Sequence, residues 1–248
     1  MLHYRLEGAG RRLLLLHPVG LDLTCFDALT RLLAPRHQVL RVDLRGHGRS
    51  PMTGEVVALR DYAADADELM TRLDFAPAAV AGFSFGGMVA QWLALAHPAS
   101  VSALVLGACP STLTSDMRAA LAERGALAER LGMAAVADAT LARWFTDDFR
   151  ARGEAEAVRQ RLLTMNAAAW AAAWRAMAEL DTSPRLASIR APTLCLAAEC
   201  DRSVAPAALH AMAAAIPGAQ YDVVAGAPHM LFLEQPGAVA AAITRFIG

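Results

Sequence analysis

Residues 78–96 read Ala78-Ala79-Val80-Ala81-Gly82-Phe83-Ser84-Phe85-Gly86-Gly87-Met88-Val89-Ala90-Gln91-Trp92-Leu93-Ala94-Leu95-Ala96. Ala78 to Ala81 is short and apolar, which suits a buried strand, and Gly87 to Ala96 suits a packed helix. Between them, Gly82-Phe83-Ser84-Phe85-Gly86 has the form G-x-S-x-G. A strand that turns sharply into a helix leaves little room beside the turn. The residues two before and two after the central serine must therefore be small. Ser84 is expected at the tip, in a strained backbone conformation with its hydroxyl exposed. A hydroxyl held in that way becomes a usable nucleophile when a base stands within reach.

The same alternation extends in both directions. His3 to Leu6 and Arg12 to Leu16 look like the first two strands, followed by a helix over Cys25 to Leu33. Gln38 to Val42 is the next strand and Leu59 to Leu73 the next helix. Beyond the elbow come strands at Val101 to Leu106, Thr193 to Ala197 and Gln220 to Val224, a helix at Pro206 to Ala215 and a last helix. Strands that alternate with helices imply a mainly parallel sheet with helices on both faces, an α/β fold. From Ser111 to Leu186 no strand signal appears, and the stretch is rich in alanine and arginine. It reads as an inserted helical cap, residues 111–186, over a core domain made of residues 1–110 and 187–248.

Composition narrows the chemistry. The 248 residues are 56% hydrophobic and carry a formal net charge of −1, which gives no reason to expect a nucleic-acid or membrane partner. There is no lysine; all 23 basic residues are arginine, so a lysine Schiff base and a G-K-[ST] phosphate loop are excluded. Cys25, Cys109, Cys195 and Cys200 form no C-x-x-C pair, and no His/Cys cluster has zinc spacing, so no metal site is expected. The N-terminal residues lack a signal-peptide core, and Leu13 to Leu16 is too short to span a bilayer. A reduced, cytoplasmic setting is the expectation.

An activated serine needs a histidine to take its proton and an acid to orient that histidine. On such a sheet the order along the chain is Ser, then Asp or Glu, then His. His97 closes the elbow's own helix and should point away, and His210 sits inside a helix. His229, in the loop Ala225-Gly226-Ala227-Pro228-His229-Met230, is the expected base. Asp201, directly after a strand, is the expected acid, with Glu199 as rival; Asp222 in a strand and Glu234 in a helix are weaker. The oxyanion donors should be the amides of Phe85 and of Val19, since Pro18 has no N–H. His17 is expected to shape that loop.

Together these residues resemble the α/β-hydrolase family over nearly the whole chain. Asp43-Leu44-Arg45-Gly46-His47-Gly48-Arg49-Ser50 looks like that family's D-x-R-G-x-G-x-S loop. Within the family the chain is most similar to the 3-oxoadipate enol-lactonase branch. Gly86 to Gln91, Arg143-Trp144-Phe145 and Leu233-Glu234-Gln235-Pro236 carry that likeness. The resemblance implies a cofactor-free serine hydrolase acting on a small ester or carboxylated lactone, with Arg143 and Trp144 as substrate contacts. Two departures stand out: His17-Pro18-Val19-Gly20 replaces the branch's Asn-Ser-Leu-Gly, and the family's first, edge strand is missing. Perhydrolysis and carbon–carbon bond hydrolysis use the same triad, and a ligand-binding receptor or scaffold could use the same fold.

Overall fold

Leu13, Leu14, Leu15 and Leu16 are consecutive and all fully buried. Side chains alternate between the faces of a strand, so an unbroken buried run needs a sheet covered on both sides. The computed structural model describes residues 1–53 and 57–248. Its strands are β1 (Tyr4–Glu7), β2 (Arg11–Leu16), β3 (His37–Val42), β4 (Ala78–Phe83), β5 (Val101–Gly107), β6 (Thr193–Ala198) and β7 (Gln220–Val224). They lie in the order β1-β3-β2-β4-β5-β6-β7. β2 to β7 are parallel, and β1 pairs antiparallel with β3 at the edge where the resemblance placed a missing strand. Arg41, buried in β3, forms ion pairs with Glu7 of β1 and with Asp27, which holds that edge down. A buried guanidinium needs such charged partners to offset its lost hydration.

Helices α1 (Asp27–Leu33), α2 (Leu59–Arg72) and α3 (Phe85–Ala96) follow β2, β3 and β4. α1 starts later than its sequence pattern suggests, because Leu23–Phe26 forms a 3₁₀ turn capped by Asp22. Five helices lie between β5 and β6: α4 (Ser115–Leu131), α5 (Ala134–Trp144), α6 (Asp147–Ala151), α7 (Glu156–Thr164) and α8 (Ala167–Ala178). α9 (Pro206–Ala215), α10 (Leu231–Glu234) and α11 (Pro236–Ile247) complete the chain. The expected single last helix is thus two, separated at Gln235, with Pro236 opening the second. On β4, Phe83 packs with Phe26 and Phe232, on the side of α1, α10 and α11, while Gly82 faces α3 on the other side.

The helices between β5 and β6 are closed off at their base. Thr182 N–H donates to Ser111 O at 2.8 Å, beside an isolated antiparallel bridge between Thr112 and Asp181. The fully buried Gln91 of α3 joins this clasp, donating from Nε2 to Pro110 O at 2.9 Å and accepting from Thr182 Oγ1 at 2.5 Å.

The strand order also fixes where a site can form. From β2 the chain crosses to β3 on one side, then returns to β4 on the other. The crevice at the carboxyl ends of β2 and β4 is therefore a topological switch point, where open α/β sheets place their sites. Leu16 lies opposite Gly82, so the loop after β2 and the turn after β4 are neighbours.

Candidate active site

The turn after β4 is tight. A Cβ on Gly82 would lie 2.2 Å from Gly86 O, and one on Gly86 would lie 2.1 Å from Leu16 O. No real Cβ tolerates such distances, so both positions require glycine. Ser84 between them has φ 52° and ψ −117°, left-handed backbone that a side-chain-bearing residue rarely adopts. Its N–H is fixed by Gly107 O at 2.8 Å, and α3 starts at the next residue, Phe85.

Ser84 Oγ lies 2.9 Å from His229 Nε2, and His229 Nδ1 lies 2.8 Å from Asp201 Oδ2. A carboxylate only accepts, so Nδ1 carries the proton and Nε2 is left to accept from the serine hydroxyl. The Asp201 side chain is fully buried, and its Oδ1 accepts the N–H groups of Ser203 at 2.6 Å and Val204 at 2.9 Å. These bonds aim the carboxylate. Glu199, two residues earlier, is exposed and instead accepts the Gly226 N–H at 2.7 Å. His97 pairs with Asp67, and His210 packs edge-on against Tyr221, so neither approaches Ser84. Asp222 pairs with Arg245, and Glu234 binds Thr146.

Val19 is buried in the wall of the cavity that holds Ser84 and His229, and its amide has no protein acceptor among the described residues. The loop that carries it is braced by His17, whose Nδ1 donates to Pro18 O at 2.8 Å while Nε2 accepts Leu44 N–H at 2.9 Å. Burial lowers the pKa of His17, which keeps it neutral for that double role. Beside it, His47 stacks on Phe85 and lies 5.1 Å from His17 between ring centroids. Burial, reinforced by His17, pushes the pKa of His47 down to about 3. Asp43 organises the rest of the loop after β3, accepting from Leu23 N, Arg49 N and His3 Nδ1 at 2.7–2.8 Å.

The cavity over Ser84 measures ≈ 60 Å³, room for about two waters. Its floor is Val19, Ser84, Met88 and His229; α4 contributes Met117, Leu121 and Arg124, and Trp144, Trp174 and Met177 close it. Trp144 lies with its ring centroid 6.5 Å from that of His229. Arg143 does not enter this cavity. It is exposed on α5, because neighbouring helical residues point about 100° apart and Trp144 takes the inward direction. The cation in the wall is Arg124, its guanidinium 4.7 Å above the Trp174 ring. Burial, with Arg143 nearby, lowers its pKa to about 10. The sequence does carry a signal for Arg124: Met117, Leu121, Arg124 and Ala128 form one helical stripe, with an arginine on an otherwise apolar face. Ser203 Oγ and Trp174 Nε1, in the same wall, are buried without a hydrogen-bond partner among the described residues. A larger hollow, ≈ 470 Å³, lies against α7 and α8 and has none of Ser84, Asp201 and His229 in its wall. Among the described residues, no group of three or more His, Cys, Asp or Glu could hold a metal ion. No helix among them is long and apolar enough to cross a membrane.

The chain belongs to the alpha/beta hydrolase family, whose model matches residues 13–242. It is 30% identical over 221 residues to 3-oxoadipate enol-lactonase 1 of Acinetobacter baylyi, covering 88% of this chain and 81% of that protein. It is 32% identical over 256 residues to the pimeloyl-[acyl-carrier protein] methyl ester esterase of Xanthomonas campestris pv. campestris, covering 99% and 98%. Among solved structures, the enol-lactonase from Burkholderia xenovorans LB400 is similar, with a TM-score of 0.94 at 28% identity, covering 99% and 96%. The likeness to an enol-lactonase and to an ester hydrolase makes this chain a hydrolase of the ester-cleaving kind.

Proposed function

We propose that the chain is a serine hydrolase that cleaves a small ester or lactone through an acyl-enzyme, with 3-oxoadipate enol-lactone or a related carboxylated lactone as substrate. The observation that carries this reading is the unbroken chain of hydrogen bonds from Ser84 Oγ through His229 to Asp201, at 2.9 and 2.8 Å. Ser84 Oγ attacks the carbonyl carbon as His229 Nε2 takes its proton. The imidazolium that forms is held by Asp201, which stays ionised. The carbonyl oxygen becomes an oxyanion that accepts from the amides of Val19 and Phe85. As the tetrahedral carbon collapses, His229 returns the proton to the leaving oxygen and the acyl group stays on Ser84. Water then attacks the acyl carbon, gives its proton to His229, and releases the acid. No step needs a cofactor.

The enol-lactonase relatives support a lactone, and the family resemblance of the sequence suggests a place in aromatic-compound breakdown. The methyl ester esterases support a simple ester equally well in kind, so the site is offered both. Four free cysteines are in keeping with a reduced, cytoplasmic setting. The experiment has two parts: labelling with a fluorophosphonate probe, and turnover of an enol-lactone against a panel of alkyl esters. Labelling at Ser84 alone, with the enol-lactone turned over best, is the expected result. Absence of labelling would overturn the mechanism. Labelling with a preference for simple esters would keep the mechanism and overturn the lactone.

A further inference from the structure

A cavity of ≈ 60 Å³ is too small for any substrate larger than a few atoms; small-molecule sites run to several hundred. The missing space lies next door. A groove of ≈ 330 Å³ runs between α4 and α5, with apolar walls that include Leu127, Val136 and Ala139. Arg124 lines both the groove and the reaction cavity, so its side chain is the partition between them.

That partition carries an unanswered charge. Neither Arg124 nor Arg143, which also lines the groove, has a carboxylate in ion-pair range among the described residues. Glu123, the acidic residue in the groove wall, is engaged by Arg130 at 2.7 Å. Arg124 is half-buried and rests on an aromatic face, which compensates for lost hydration only in part. A second, independent feature of the same wall is the buried indole N–H of Trp174, which has no hydrogen-bond partner among the described residues.

We propose that Arg124 is the specificity-determining residue and gate of the site: it binds a carboxylate at the end of a short apolar chain lying in the α4–α5 groove, while the ester carbonyl of the same substrate sits at Ser84. This rests on the hydrolase reading above and assigns the residue and the groove that take the carboxylate end of the acyl part. Guanidinium and carboxylate match in shape and charge, and the bond forms where water is scarce. In that position the Arg124 side chain lies along the groove and no longer divides it from the cavity.

The test compares methyl half-esters of dicarboxylic acids with neutral methyl esters of equal length, in the wild type, Arg124→Gln and Ala139→Phe. The wild type should prefer the half-esters. Arg124→Gln should lower kcat/KM on half-esters, mainly through KM, by a factor about 30 times or more greater than its effect on neutral esters. Ala139→Phe fills the groove from the α5 side, at a position that does not itself line the cavity. It should penalise long acyl chains of both kinds and spare methyl acetate. Equal losses of Arg124→Gln on charged and neutral esters, or no loss on either, would overturn the role of Arg124. Unchanged chain-length dependence in Ala139→Phe would overturn the groove. Calorimetric binding of glutarate to Ser84→Ala, lost on adding Arg124→Gln, tests the same contact without turnover. If no ester is cleaved and no fluorophosphonate label appears, the hydrolase reading fails, and the glutarate result still decides the fate of Arg124.

Discussion

Glu234 grips Thr146 with both carboxylate oxygens: Oε1 accepts the Thr146 N–H and Oε2 its hydroxyl, each at 2.8 Å. Next to this pair, Met230 N–H donates to Trp144 O at 3.1 Å. The segment that ends α5 is thereby fastened to the segment that carries His229. Substituting Glu234 by Ala should cost about 1–3 kcal/mol of stability, as loss of hydrogen bonds to a charged group does. Because Trp144 then loses its mooring, KM should rise as well. Thermal unfolding and steady-state kinetics on one ester check this, and an unchanged Tm together with an unchanged KM would show the grip to be idle.

Ser84 should reveal its strain when the side chain is removed. Ser84→Ala is expected to lose turnover by about 10⁶-fold while remaining folded. Ser84→Gly should be equally inactive but more stable than the alanine variant by roughly 1 kcal/mol. Glycine adopts φ 52° without penalty, whereas alanine is ordinarily the stabilising choice of the two. Urea unfolding of both variants decides it. The usual order, alanine above glycine, would mean that the turn is unstrained.

Asp201→Asn should lower kcat by about 10⁴-fold, because an amide no longer fixes the tautomer that leaves His229 Nε2 free to accept. Glu199→Gln should leave kcat nearly unchanged, since its carboxylate serves only the Gly226 N–H. The reverse pattern, with damage from Glu199→Gln alone, would move the acid by two positions.

His17 and His47 predict a pH dependence of stability. An unfolded histidine takes up a proton near pH 6.5, but in the folded chain both are held neutral to lower pH, His47 to about 3. The unfolded state therefore binds more protons below pH 6.5, and stability should fall as pH drops through that range. For His47 the loss is about 1.4 kcal/mol per pH unit between pH 6.5 and about 3, His17 adds in the same direction, and both effects vanish above pH 6.5. Denaturant midpoints at pH 7, 6 and 5 measure it. His47→Gln should make the fall shallower, and an identical slope in that variant would exclude His47 as a source.

Much of this site could be placed from sequence because local constraints fix it. The turn around Ser84 needs two glycines at fixed spacing, Asp201 follows the apolar run of β6, and His229 follows the mixed strand β7, whose Val223 and Val224 mark its end. Their chain order is enough to bring them to one end of the sheet. The helices between β5 and β6 were less legible, because the wall they form depends on how α4 and α8 cross, which no local pattern encodes. Arg143 stood out by its place beside Trp144, yet adjacency along a helix separates side chains by more than a quarter turn. Arg124 needed the opposite reading, a stripe with one polar member. Thr182 and Gln91 are 91 residues apart, and nothing in either neighbourhood announces their contact.

The clasp between Ser111 and Thr182 has a consequence for how such a chain can diversify. The polypeptide departs from the core and comes back to it through one hydrogen-bonded pair of crossing segments, so the register of β5 and β6 is set without reference to what lies between. The helices from α4 to α8 leave and return at that one place, and the end of α5 is fastened again to Met230 and Glu234 beside His229. Another set spliced between those two residues would reshape the chamber and its charge, and would keep Ser84, Asp201 and His229 at their present distances if it renewed that second fastening. Most of the chamber's wall and the hydrogen-bonded chain from Ser84 to Asp201 are thus written in different stretches of one gene, joined at Trp144 and Thr146.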